Sequence, residues 1–256
     1  TYSEYSRELS FSGSTQDYYH LQEAEDFELD VEDLCRTLLN GYDFLILCNP
    51  NNPTSSAILK DEMRALLSFC ANRDIFVMID ETYVEFAPSV QEVTAVPYTK
   101  EFSNLMVLRG VSKFYAAPGM RFGYGITGNK EFLSQMKEKQ IPWSLNSLGA
   151  YAGEQMFKDT SYIRQTRALI LTERDRMFLE LKKMSSFKVY FPYGNFILVK
   201  ILKPEVTSFD VFEACIKEGL MIRDCSSFQC LEGEFIRFCI MKPEDNNRLL
   251  KVLKTL

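Results

Sequence analysis

The chain has 256 residues, 46% of them apolar and 25% charged, with a net charge of −6. That is the make-up of an ordinary globular protein long enough for a sizeable core in one or two domains. No long basic block occurs, which argues against nucleic acid or an anionic membrane surface as a partner. No apolar run approaches the ~20 residues of a membrane span, and no signal peptide is visible.

The chain opens on Thr1 rather than Met and reads as a fragment, or as the ordered part of something longer. A short helix is expected over 3–10 and a short strand over Tyr18 to Leu21, with His20 in it as a satisfied, partly buried histidine. The acidic run 23–33 leads into a helix from about Val31 to Leu39, stopped by Asn40-Gly41. Asp43-Phe-Leu-Ile-Leu-Cys48 is a continuous apolar run, as in a buried parallel strand. It ends in the polar loop Asn49-Pro-Asn-Asn-Pro-Thr54. The helix Lys60 to Asn72 places Met63, Leu66, Leu67 and Cys70 on one face. Ile75 to Ile79 is a second buried strand, and Leu105 to Leu108 and Phe122 to Ile126 are the next two. Strands alternating with helices in this way predict βαβ units and a mostly parallel sheet.

Past Asn129 the texture changes. Helices are expected over Lys130–Gln140, from a Ser144 cap toward Phe157, and from Asp159 or Thr160 to Met184. Strands 187–191 and 195–201, a helix 208–218, strands 220–224 and 234–240 and a final helix from Pro243 complete the chain. The organisation expected is a large α/β domain over 1–145, connecting helices over 146–186 and a small α+β domain over 187–256.

The single histidine, His20, excludes multi-histidine metal sites and leaves a Ser-His-Asp triad only one candidate member; no metal site is expected. A catalytic lysine is the better expectation. The seven cysteines (Cys35, Cys48, Cys70, Cys215, Cys225, Cys230 and Cys239) form no CxxC pair and read as reduced thiols of a cytoplasmic protein. Ligands of open α/β sheets bind beyond the carboxyl ends of the strands. Four polar groups fall there: Asn51 and Asn52, then Asp80 and Tyr83, then Ser112 and Lys113, then Arg121. Each has a plainer reading alone. Asn-Asn-Pro is good turn chemistry, Asp80 can cap Thr82-Tyr83, Arg121 can be a surface charge, and Ser112-Lys113 can be an ordinary turn. Together, an amine, a carboxylate, a phenol, an amide and a guanidinium suit pyridoxal phosphate. Its aldehyde takes a lysine, its ring nitrogen a carboxylate, its ring oxygen hydrogen-bond donors and its phosphate Ser/Arg.

Asn-Pro-Asn-Asn-Pro-Thr, Asp80-Glu-Thr-Tyr83 and Ser112-Lys-x7-Arg121-x-Gly resemble the class I/II aminotransferase superfamily of pyridoxal-phosphate enzymes. The spacing fits as well: 28 residues from Asn52 to Asp80, 33 to Lys113 and 8 to Arg121. The resemblance implies the aspartate-aminotransferase-like fold, with a mostly parallel sheet in the large domain and a smaller C-terminal α+β domain. It implies that Lys113 forms a Schiff base with the cofactor and shuttles the substrate proton. Asp80 pairs with the ring nitrogen, and Asn52 and Tyr83 bond the ring oxygen. Ser112 and Arg121 hold the phosphate, and Tyr2 stacks on the ring. Arg237 grips the substrate carboxylate; its plainer reading is a strand-face arginine, although a charge between Phe235 and Phe238 is costly there. Lys113-Phe-Tyr-Ala-Ala-Pro-Gly-Met-Arg-Phe-Gly-Tyr124 and Ile222-Arg-Asp-Cys-Ser-Ser-Phe228 are similar to the histidinol-phosphate aminotransferase and threonine-phosphate decarboxylase branch. That implies a phosphate-bearing amino acid or amine as small-molecule substrate, with Arg223 as a contact, and a homodimer.

Two positions depart from the pattern: Ser55 stands where glycine is usual, and Gly110 where a hydroxyl residue commonly reaches the phosphate. The superfamily's N-terminal arm and glycine-containing phosphate cup would lie upstream of Thr1. Three readings follow: an aminotransferase, a threonine-phosphate decarboxylase, and a catalytically silent module of the same fold.

Overall fold

The structure is a computed structural model and describes residues 4–229 and 231–256. By their internal contacts the residues form two compact units, one of Thr1–Leu29, Asn51–Ser56 and Ile170–Leu256, the other of Asp30–Pro50 and Ala57–Leu169. The N-terminal segment and the Asn51–Ser56 loop thus group with the C-terminal part of the chain, and the break falls inside one long helix, Thr160–Lys182.

The larger sheet lies in the second of these units. Its strands are β1 (Phe44–Cys48), β2 (Phe76–Asp80), β3 (Leu105–Gly110) and β4 (Gly123–Thr127), hydrogen-bonded in that order. The pairs β1–β2 and β2–β3 are parallel, so the chain leaves β1, β2 and β3 at the same end, with Asp80 abreast of Cys48 and Leu108. The β3–β4 pair is antiparallel. Alternation does the sorting in β2, where Val77 and Ile79 are fully buried. Preceding β1, α2 (Val31–Leu38) starts on Asp30, whose carboxylate accepts the Asp33 N–H at 2.9 Å, and buries Leu34 and Leu38. Between β1 and β2, α3 (Lys60–Ala71) buries Met63, Leu66, Leu67 and Cys70, an i, i+3, i+4, i+7 stripe. Each such side chain contributes roughly 1.5–3 kcal/mol. The run Asp43–Cys48, read as a strand buried on both faces, is only half-buried because β1 is the outermost of these four strands; Phe44 is exposed.

In the other unit, β5 (Phe187–Val189), β6 (Phe196–Ile201), β7 (Arg223–Asp224) and β8 (Phe235–Cys239) form an antiparallel sheet ordered β5-β6-β8-β7. Its core contains Val211 and Cys215 of α8 (Ser208–Lys217) and Leu249, Leu250 and Leu253 of α9 (Pro243–Leu253). A second cluster joins Phe27 to Tyr190, Leu198, Cys225 and Phe235, with Leu21 against it. That packing explains a difference from the sequence-based expectation. Tyr18–Leu21 forms no strand; the segment is anchored by the buried Phe27 and the partly buried Leu21, and His20 is exposed. Glu23 adds polar anchors, accepting from Tyr190 at 2.8 Å and from Lys200 at 2.6 Å.

The remaining helices are α1 (Glu4–Phe11), the one-turn α4 (Val90–Val93), α5 (Lys130–Lys139), α6 (Ser147–Lys158) and α7 (Thr160–Lys182). Asn146, not Ser144, caps α6, because its side chain reaches the Gly149 N–H at 2.6 Å. Strands expected over 187–191 and 220–224 shrink to Phe187–Val189 and Arg223–Asp224. None of the helices among the described residues is long and apolar enough to cross a membrane.

Candidate active site

The loop after β3 is positioned by its apolar members. Val111 and Phe114 are buried, while Ser112 between them is half-buried and Lys113 exposed. The Val111 N–H donates to the Phe122 carbonyl at 3.2 Å, and the Tyr162 hydroxyl donates to the Phe114 carbonyl at 2.8 Å. A backbone pinned on both sides thus presents the Lys113 amine at the carboxyl end of the sheet. Its Nζ lies 5.9 Å from the centroid of the Tyr83 ring. Asp80 closes β2, and its Oδ1 accepts the Thr82 N–H at 2.8 Å, which is the capping contact expected of it. Arg121 is exposed, with left-handed backbone (φ 49°) and a hydrogen bond of 3.2 Å to the Pro118 carbonyl. The amine, the phenol, the carboxylate, Ser112 and Arg121 all belong to the larger-sheet unit. Gly110 sits opposite Gly123, and a Cβ there would stand 3.2 Å from the Phe122 carbonyl oxygen. A side chain at this position would therefore have to push the Phe122 carbonyl back by a few tenths of an ångström.

Asn52, Arg223 and Arg237 belong to the other unit. Arg237 donates from Nη1 to Asn52 Oδ1, and its guanidinium carbon lies 5.0 Å from the Phe196 ring centroid. Its Nε is buried and has no hydrogen-bond partner among the described residues. Across the β7–β8 pair Arg237 is in register with Arg223, whose Nη2 donates to Ser227 Oγ at 2.8 Å. Tyr2 lies outside the described residues.

Sequence reasoning missed the pair beneath Asp80. Glu81 is fully buried and accepts from Arg109 Nε at 2.9 Å and Nη2 at 2.7 Å, from the Thr94 hydroxyl at 2.8 Å and from the Ala95 N–H. Its N–H donates to the Leu108 carbonyl at 2.9 Å. The end of β2 is thereby bolted to β3, four residues before Lys113. Removing either partner would strand a buried charge, at about 3–5 kcal/mol. The signal was available, since Arg109 is a charge inside an apolar strand, as Arg237 is.

Next to this pair, Glu85 carries a buried Oε2 without a hydrogen-bond partner among the described residues. Burial pushes its carboxyl up to about 7, against the pull of its own backbone N–H and of Arg109, and with the help of Glu81. The folded protein therefore holds this proton more tightly than the unfolded chain. The associated stability is fully present below the ordinary carboxylate range and is lost as pH rises through about 7. Melting temperature is expected to fall across this interval and to fall less in Glu85→Gln; equal slopes for the two proteins would contradict the assignment.

Polar groups at the carboxyl edge of parallel strands lie where open α/β sheets bind their ligands. The model of the family "Aminotransferase class I and II" matches residues 1–253. Over 253 residues the chain is 29% identical to the threonine-phosphate decarboxylase of Salmonella typhimurium, covering 99% of this chain and 68% of that one. Over 254 residues it is 29% identical to the histidinol-phosphate aminotransferase of Methanococcus aeolicus, covering 99% and 67%. The crystal structure of the histidinol-phosphate aminotransferase from Clostridium acetobutylicum superposes with a TM-score of 0.91 at 32% identity, covering 99% of this chain and 75% of that one. The chain belongs to the class I and II aminotransferase family, whose enzymes work with pyridoxal 5'-phosphate.

Proposed function

We propose that the protein acts on a phosphate-bearing amino acid or amine, exchanging its amino group through pyridoxal phosphate. What supports the cofactor here is the donor set. Lys113 offers an amine beside Tyr83, Asp80 a carboxylate, and Ser112 and Arg121 phosphate ligands, while the orphaned Nε of Arg237 asks for an anion. When bound, pyridoxal phosphate supplies an aldehyde for the Lys113 amine and a ring that draws electrons from the bond being broken. Lys113 holds and moves the proton at the substrate carbon. Asp80 would keep a positive charge on the ring nitrogen, and Tyr83 and Asn52 would bond the ring oxygen. Arg237 takes the substrate carboxylate as a fork.

The observation that carries the substrate class is the cross-strand pair Arg223–Arg237. Like charges directly opposite on one sheet face repel, and a ligand with two anionic groups relieves that repulsion. Arg223 is accordingly assigned to the substrate phosphate. A second reading, decarboxylation of threonine phosphate, is favoured by the Salmonella typhimurium relative. Incubation with phosphothreonine or with histidinol phosphate plus a keto acid separates them. Keto-acid-dependent amino transfer supports the first reading, carbon dioxide release the second, and neither product with a cofactor-loaded protein would leave the silent module.

We assign the working form to a homodimer. Ile141 (75% exposed), Trp143 (97%), Leu148 (77%) and Tyr151 (67%) crowd one stretch of the larger-sheet unit, more bare apolar surface than a monomer ordinarily keeps there. Sedimentation velocity is expected to give a dimer, and Leu148→Glu to weaken it; a monomeric wild type would refute this. The larger-sheet and smaller-sheet units correspond, in this reading, to a cofactor domain and a small substrate-gripping domain. Buried Cys70, Cys215 and Cys225, each carried as a thiol, support a cytoplasmic location, which cell fractionation checks.

A further inference from the structure

Ser55 stands at the position where the family pattern has glycine, and the backbone shows why glycine is usual. Its φ is +63°, in the left-handed region that a side chain enters only under strain. Something must hold a serine there. Ser55 is fully buried, and all three of its polar groups are engaged. Its N–H donates to the Asn51 carbonyl at 2.8 Å, its carbonyl accepts the Tyr193 N–H at 2.8 Å, and its hydroxyl oxygen accepts the Gly194 N–H at 2.8 Å. The approach is close, since a Cβ on Gly194 would meet Ser55 Oγ at 3.1 Å. A glycine at 55 would leave the buried Gly194 N–H without this acceptor.

The contact belongs to a closed circuit within one unit. Behind the turn, the buried Arg174 donates to the carbonyls of Tyr193 at 3.1 Å and Gly194 at 3.3 Å. One residue on, the Asn195 carbonyl accepts the Ile240 N–H at 2.8 Å, fastening the turn to the end of β8. Within β8 lies Arg237, which donates to Asn52, three residues before Ser55. Phe196, the first residue of β6, lies beneath that guanidinium.

We propose that Ser55 is a positioning residue: its hydroxyl, in place of the usual glycine, locks the Asn51–Ser56 loop to the 193–195 turn and so holds Asn52 and Arg237 in register for cofactor and substrate. The proposal rests on the assignment of those two residues made above. It distinguishes Ser55 from a side chain that merely satisfies one amide, because a loosened register must be felt at both Asn52 and Arg237.

The test uses the whole protein with Ser55→Gly and Ser55→Ala. Both remove the hydroxyl, and only the first also relieves the backbone, so Ser55→Gly carries the test if Ser55→Ala does not fold. Without cofactor, hydrogen exchange at the Gly194 amide is expected to quicken by about tenfold in both variants. With pyridoxal phosphate, the pH midpoint of the bound cofactor's absorption band is expected to shift, and KM for the amino substrate to rise by about 3- to 10-fold with kcat less affected. Unchanged Gly194 exchange, or a lowered melting temperature with midpoint and KM as in wild type, would overturn the proposal. No cofactor band in the wild type would overturn the functional reading and this one together, whereas a wild-type band indifferent to both substitutions removes Ser55 alone.

Discussion

Lys113→Ala is expected to lower kcat by at least ~10³-fold, because in the proposed function one amine both holds the cofactor and moves the substrate proton. The fold should barely notice. Lys113 is exposed, and the residues that pin its loop are Val111 and Phe114, which the substitution leaves untouched. Melting temperature in the absence of cofactor should therefore stay close to that of the wild type. Borohydride treatment of the loaded wild type should leave the cofactor attached to the peptide that contains Lys113, found by mass spectrometry; the variant should carry none. If Lys113→Ala keeps more than about a tenth of wild-type kcat, the amine is not the proton carrier. Trapping on any other lysine would move the site away from this loop.

Legibility of the chain followed the range of the physics. The stripe Met63, Leu66, Leu67 and Cys70 was readable because a helix sorts its own residues by a local period, and all four are buried in α3. The apolar runs of β2 and β3 were readable for the same reason. Their carboxyl-terminal residues, Asp80 and the Ser112-Lys113 pair, inherit their position from strand ends, so their placement at one end of the sheet could be read from the sequence. What depends on pairing between distant segments was less accessible. Glu81 meets Arg109 only because β2 and β3 are parallel with Asp80 opposite Leu108. Tyr18–Leu21 has strand-like residues but no ladder partner strand, and the burial of Phe27 decides its course instead. The donor that makes Ser55 tolerable is the Gly194 N–H, 139 residues away along the chain. Sequence shows the unusual serine and is silent on the amide it meets.

Arg237 should separate stability from function. It lies in β8 between neighbours that are fully buried, with an orphaned Nε and with Arg223 directly across the strand pair. An unsatisfied buried polar group costs about 1–3 kcal/mol, and an opposed like charge adds to that. Methionine has a similar stem and can still cover the Phe196 ring. Arg237→Met is thus expected to fold at least as stably as the wild type, even though it forfeits the bond to Asn52. Binding should move the other way. Truncating one partner of a buried, hydrogen-bonded charge pair costs about 2–5 kcal/mol, so kcat/KM for a carboxylate-bearing substrate should fall by roughly 30- to 5,000-fold. Arg237→Lys keeps the charge but not the planar fork, and should recover little of that loss. Thermal denaturation and steady-state kinetics on the same preparations decide the matter. An arginine retained only for packing would give the reverse pattern, with a lowered melting temperature and unchanged KM. A residue whose removal relaxes the fold and disables the substrate is one whose missing partner is the substrate itself.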